Sequence, residues 1–125
     1  MNIVIALDSF KGCLTSSAAN KAVKQGIESA QSNVKSHVFN VSDGGEGFLQ
    51  AMNPDEIFTC SVHDAMMRPT QAQWGVKDGL AIIEVAQAVG LSKIEPNLRN
   101  PLLATSYGVG ELMVNALQKG FKKII

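Results

Sequence analysis

Residues 2–7 form a continuous apolar stretch that gives way at once to a polar loop at residues 8–13, and this junction constrains the rest of the chain. An apolar run without alternation is the pattern of a strand buried on both faces of a parallel sheet. A parallel partner requires a crossover, and the next segment supplies one. Thr15 is placed to cap a helix over residues 16–30, in which Ala19, Ala22, Val23, Ile27 and Ala30 fall on one helical stripe. A second strand is predicted at residues 36–41, followed by a glycine-rich loop at 43–47 and a short helix from Phe48. Strand, loop, helix, strand, loop and helix in that order imply α/β layers with a right-handed crossover. The expectation for residues 1–56 is therefore a Rossmann-like layer built on a parallel sheet.

The pattern then changes. Residues 57–63, 70–76 and 80–85 are short β-like runs with little helix between them, and Lys77-Asp78-Gly79 is a hairpin turn signal. Residues 57–95 are expected to be a β-rich excursion in the middle of the α/β fold. After a loop marked by Pro96 and Pro101, Val109, Leu112, Met113, Ala116 and Leu117 repeat at helical spacing, with Gly120 set to end the helix. Residues 121–125 predict an apolar strand. Residues 96–125 are thus expected to return to the α/β layer. Ligands of open α/β sheets sit on the loops after the strands, so the chain resembles the front of a longer protein.

Charge narrows the possible partners. Eleven basic residues balance eleven acidic ones, which argues against a nucleic-acid binder, because counterion release needs a cationic footprint. No apolar stretch is long enough to span a bilayer, and residues 1–7 lack a basic leader. Cys13 and Cys60 show neither metal-ligand spacing nor a disulfide framework, as expected of thiols in a reducing cytoplasm.

Three loops could carry chemistry. Asp8-Ser9-Phe10-Lys11-Gly12 puts a carboxylate, a hydroxyl and an ammonium in one short turn. Lysine can meet a phosphate, and an aspartate can accept a proton or approach Mg²⁺; a solvated loop capped by Asp8 is the plainer alternative. Asp43-Gly44-Gly45-Glu46-Gly47 is more specific. Its glycines allow close backbone approach, and successive N–H groups before a helix form an anion nest. Two carboxylates there suit a bound Mg²⁺ between them and phosphates, while a flexible turn with helix-favouring acids is the competing account. Residues 105–111 open the last helix with hydroxyls and glycines, fitting an anion or simple capping equally well. Met113 stands where a dinucleotide fingerprint needs its third glycine, and no P-loop sequence occurs. His37 and His63 lack neighbouring ligands and are expected to be surface or packed residues, with Phe58 and Trp74 as core.

Taken in order, residues 8–12, 43–47, Arg68-Pro69, 83–91 and 100–112 resemble the glycerate kinase family of the bacterial glycerate 2-kinase type. The likeness is to I-A-x-D-S-F-K-G, D-G-G-E-G, G-R-P-V, I-E-x-A-x-A-x-G-L and N-P-L-x-T-T-S-Y-G-T-G-E-L. The chain departs from it at Leu7, at Ala104, and at His63-Asp64-Ala65-Met66-Met67, which replaces a G-P-L-G run before Arg68. The resemblance implies a two-domain α/β enzyme about three times as long, of which this chain is an incomplete, N-terminal part. It also implies ATP and Mg²⁺ as cofactors and D-glycerate as the small-molecule substrate. Within it, Asp8, Lys11 and Asp43 would be catalytic, with Asp8 the base toward the 2-hydroxyl and Asp43 its alternative. Asp43 and Glu46 would hold the metal, and Gly12, Gly44, Gly45 and Gly47 the phosphates. Ser9, Arg68, Ser106 and Tyr107 would hold substrate oxygens. The alternative to a kinase is a non-catalytic anion-binding or interaction module. Without the loop that follows residues 121–125, the isolated chain is expected to show little or no activity and to be prone to association.

Overall fold

The structure, a computed structural model, describes residues 1–125, which divide into two compact units, Met1–Ala51 and Met52–Ile125. In the first unit, β1 (Asn2–Ile5) pairs in parallel with β2 (Lys35–Val38), from Asn2 opposite Lys35 to Ile5 opposite Val38. Between them runs α1 (Ser16–Ala30), whose first turn is capped by the Thr15 hydroxyl accepting the Ala18 N–H at 3.2 Å. A single-turn helix, α2 (Phe48–Ala51), closes the unit. This is the β-α-β-α order that the sequence predicts.

Two details differ from expectation. β1 is not buried on both faces: Ile5 is buried, but Val4 is 67% exposed. With only two strands and one long helix in the unit, α1 can cover only one sheet face. The helix also buries a different set of residues. Ser16, Ala19 and Asn20 are its buried positions, whereas Val23 is exposed. The N-terminal turns are held by polar groups rather than by the apolar stripe.

The second unit is a mixed sheet with helices against it. β3 (Glu56–His63), β4 (Pro69–Lys77) and β5 (Leu80–Ile82) follow one another antiparallel, in that spatial order. The β4–β5 turn has Asp78 at φ 51°, the left-handed conformation that the Asp-Gly signal predicts. Beyond Ile82 the chain leaves the strand and forms α3 (Val85–Val89), where the sequence reading extends the strand to residue 85. A short apolar run does not by itself distinguish strand from helix; Ile83 N–H still meets Ile125 O at 2.9 Å, and the helix begins at Val85.

Residues 96–125, read from sequence as returning to the first layer, lie instead with this sheet. Helix α4 (Tyr107–Gln118) packs on β3, and residues 123–125 run parallel to β5 through Ala81 N–H to Lys123 O and Ile125 N–H to Ala81 O, both 2.9 Å. The helix ends in a Schellman pair, Gly120 N–H to Leu117 O and Phe121 N–H to Ala116 O. That reversal packs the partly buried Phe121 against the core.

The core joins Val62, Ala72, Trp74, Val76, Ile83, Ala88, Val109 and Leu112. Trp74 is fully buried, stacks on Phe58 at 4.6 Å, and donates its indole N–H to Asn115 Oδ1 at 2.9 Å. A buried indole needs such a partner, and α4 provides it. No helix in the chain is long and apolar enough to cross a membrane.

Met67, in the β3–β4 turn, has φ 60°, which strains a long side chain. Met67→Gly is expected to raise stability by about 0.5–1 kcal/mol, the left-handed penalty less the added unfolded-chain entropy of glycine. A urea midpoint that falls instead would contradict this.

Candidate functional site

The polar residues of α1 determine where the first two loops begin. Asn20 is fully buried and accepts the Leu7 N–H at 2.8 Å through Oδ1. Its Nδ2 reaches Leu7 O at 3.3 Å and Phe39 O at 3.2 Å. One turn earlier, Ser16 donates to Leu7 O at 2.7 Å and accepts the Val41 N–H at 3.4 Å. The backbone just past β1 and the backbone just past β2 are thus fastened to the same helix turn. These backbone groups have no partner of their own in a strand ladder, so the helix side chains supply one.

From this anchor the loops at residues 8–15 and 42–47 leave the same sheet edge. Asp8 Oδ1 accepts the Ser9 N–H at 2.6 Å, and Phe10 and Leu14 bridge backbone to backbone, making the first loop a tight turn. In the second, Asp43 Oδ1 accepts the Gly45 N–H at 3.0 Å. Gly44 and Gly47 have φ 96° and 92°, conformations that L side chains resist, so glycine is required at both positions. Between the loops lies a cavity of about 200 Å³, lined by Ser9, Lys11, Gly12 and Cys13 on one side and Glu46 and Gly47 on the other. Asp8 and Asp43 do not line it.

The second unit builds a different cluster around the β3–β4 turn. Asp64 is 3% exposed. Its Oδ1 accepts the N–H groups of Met66 at 2.8 Å and Arg68 at 3.0 Å, while Oδ2 accepts Arg68 Nε–H at 2.8 Å. Burial alone would raise the carboxyl pKa, but the hydrogen bonds from Arg68 and Met66 and the guanidinium charge outweigh it and hold it below 3.8. A depressed carboxylate stabilises the fold above its unfolded pKa, and that stability is lost as pH falls through the folded value. The chain is therefore expected to lose stability below about pH 4 by a component that Asp64→Asn removes, as read from urea midpoints across that range.

The start of α4 is locked to this turn. Thr105 N–H donates to Ala65 O at 2.9 Å, and the Thr105 hydroxyl accepts the Tyr107 N–H at 3.2 Å. Gly108 lies so close to β3 that an added Cβ would overlap His63 O. Glu111, one turn on, accepts the His63 N–H at 2.7 Å and sits 3.0 Å from His63 Nδ1. Tyr107 meets the edge of the same imidazole at 5.8 Å between centroids. A hollow of about 820 Å³ opens beside them, lined among others by Cys60, Ser106, Tyr107, Glu111 and Asn115. Burial and the nearby Glu111 charge push the Cys60 thiol pKa up, which suits an unreactive thiol.

Of the residues singled out from sequence, Ser9, Lys11, Gly12, Glu46 and Gly47 thus share one cavity, with Asp8, Asp43, Gly44 and Gly45 in the same two loops. Arg68, Ser106 and Tyr107 belong to the second cluster. Sequence reasoning missed Ser16 and Asn20, whose signal was two polar residues four apart on the buried side of α1. It also missed Asp64, and it left His63 without its Glu111 partner, which lies 48 positions away.

These features define a mixed α/β protein whose two glycine-bearing loops gather at the carboxyl ends of a parallel strand pair, the edge where such sheets bind ligands. The chain belongs to the glycerate kinase family, whose pattern it matches over residues 3–125. It is 37% identical to a glycerate kinase of Haemophilus influenzae and 36% identical to glycerate 2-kinase of Escherichia coli, in each case over 100% of this chain and 34% of the relative. A crystal structure of a candidate glycerate kinase 2 from Salmonella typhimurium LT2 superposes with a TM-score of 0.73 at 34% identity, covering 99% of this chain and 34% of that one. The chain spans about a third of the length of the relatives it matches.

Proposed function

We propose that this chain carries part of the machinery of a glycerate 2-kinase, which transfers the γ-phosphoryl of ATP to the 2-hydroxyl of D-glycerate and yields 2-phosphoglycerate. The observation that carries the reading is the cavity where Ser9, Lys11 and Gly12 face Glu46 and Gly47, in a chain of this family. Phosphoryl transfer rests on positioning and charge stabilisation more than on covalent help from the protein. Lys11 offers a cation to the phosphates, and the backbone of Gly12, Gly44, Gly45 and Gly47 offers N–H donors. The 2-hydroxyl oxygen attacks the γ-phosphorus, the bond to the β–γ bridging oxygen breaks, and Asp8 receives the hydroxyl proton, with Asp43 the alternative acceptor. Ser9 in the first unit, and Arg68, Ser106 and Tyr107 in the second, are each assigned as donors for substrate oxygens.

Mg²⁺ typically takes one or two carboxylates and completes its shell with water and phosphate oxygens. Asp43 and Glu46, in one exposed loop with no third His, Cys, Asp or Glu gathered beside them, fit that donor set. When bound there, the ion neutralises phosphate charge. A reducing cytoplasmic setting completes the reading and suits the two unpaired thiols.

Amide spectra of the chain titrated with MgATP test the phosphate side. Gly44, Gly45 and Gly47 should shift, and Lys11→Ala should weaken binding at least about tenfold, or about 1.4 kcal/mol. Unchanged MgATP affinity would remove Lys11 and the cavity from the reading. A coupled assay with MgATP and D-glycerate on a full-length relative carrying Lys11→Ala at the matching position separates the kinase from an anion-binding module: lost phosphoglycerate formation supports the kinase reading, and unchanged turnover supports the module.

A further inference from the structure

A guanidinium has two donor edges, one formed by Nε with a terminal nitrogen and one formed by the two terminal nitrogens. In this chain Asp64 occupies the first through Nε at 2.8 Å. Arg68 is 40% exposed along its side chain, and its terminal nitrogens make no hydrogen bond to the protein. We propose that Asp64 is a positioning residue: it grips Arg68 by Nε so that the two terminal amino groups stand as a preformed fork for the carboxylate of a small hydroxy acid. The inference rests on the assignment of Arg68 to substrate oxygens and adds the residue that aims it.

Two observations and one physical argument support it. The holder is itself immobile, since Asp64 is buried and its Oδ1 is fixed by the N–H groups of Met66 and Arg68. The turn is fastened to the start of α4 through Ala65 O and Thr105 N–H, which brings the turn beside the segment carrying the exposed hydroxyl-bearing residues Ser106 and Tyr107. A fork held in advance also loses less side-chain freedom on binding than a free arginine, and it matches carboxylate geometry as a lysine cannot.

The division of labour between the two Asp64 oxygens makes the test specific. Asp64→Asn keeps an Oδ1 acceptor for both turn N–H groups but presents an amide N–H toward Arg68 Nε. The chain would be titrated with D-glycerate and, separately, with D-glyceramide, which has the same shape without the charge. Asp64→Asn should weaken D-glycerate binding five- to tenfold and leave D-glyceramide unchanged. The Arg68 Nε–H resonance, protected in the unsubstituted chain, should broaden in the variant while the backbone amide spectrum persists. Arg68→Lys, which keeps the charge and every Asp64 turn bond, should lose D-glycerate affinity to a similar degree.

Full D-glycerate affinity in Asp64→Asn, alongside its loss in Arg68→Ala, would overturn the positioning role while leaving Arg68 as the receptor. Unchanged affinity in Arg68→Ala would overturn both. Should Asp64→Asn not fold, Arg68→Lys decides: retained affinity for D-glycerate would show that no aimed fork is needed.

Discussion

Asn20→Leu should lower the stability of the chain by about 3 kcal/mol, although leucine matches the side chain in size and suits a helix. The loss comes from the groups left behind. Leu7 N–H and Phe39 O would lose part-buried hydrogen bonds, and each polar group left without a partner costs roughly 1–3 kcal/mol. Asn20→Asp separates the two halves of the effect, because it keeps an acceptor for Leu7 N–H and loses the donors to the two carbonyls. It should fall between the wild type and Asn20→Leu in urea denaturation. A loss below about 1 kcal/mol for Asn20→Leu would show that water or backbone adjustment satisfies these groups.

Gly108→Ala should cost about 2–4 kcal/mol, because the new methyl meets the His63 carbonyl oxygen and α4 must move away from β3. Moving the helix also pulls Glu111 from the His63 N–H and imidazole. Gly110→Ala is the internal control. Nothing lies within 4 Å of the added carbon there, and a helical alanine should be neutral or stabilising by up to about 1 kcal/mol. Equal midpoints for the two variants would refute the close-packing argument.

Much of this architecture was legible in the chain itself. Thr15 at the head of α1, the Asp78-Gly79 turn and Gly120 after α4 are local signals, and each acts through its own backbone conformation. The loops at 8–12 and 43–47 were legible as turns for the same reason, since glycine and polar residues gathered within a few positions mark a break between elements. The failures are of another kind. The strand reading ran too far, to residue 85, because a short apolar run satisfies either period; α3 begins at Val85 and places Ala88 in the core with Val109 and Leu112. The buried face of α1 was misread because the hydrogen-bond demands of Leu7 and Phe39, distant in sequence, outweighed the apolar stripe. Asp64 and His63 stand where the family pattern carries different residues, so resemblance gave no guidance there. Met67 precedes Arg68 at the position where that pattern carries glycine, and its positive φ shows why glycine suits it.

Leu7 and Ser16 bracket the first loop, and both are tied to one another through the same hydroxyl at 2.7 Å. Residues 8–15 therefore form a cassette with a clasp at its base. Changes at Ser9, Lys11 or Cys13 alter which groups face the cavity while the clasp and the Thr15 cap of α1 stay in place. Selection or laboratory evolution could exchange Ser9, Lys11 or Cys13 freely on this scaffold, while any change at the clasp would affect the fold and the loop together. New ligand preference should thus be easiest to obtain from libraries confined to Ser9, Lys11 and Cys13.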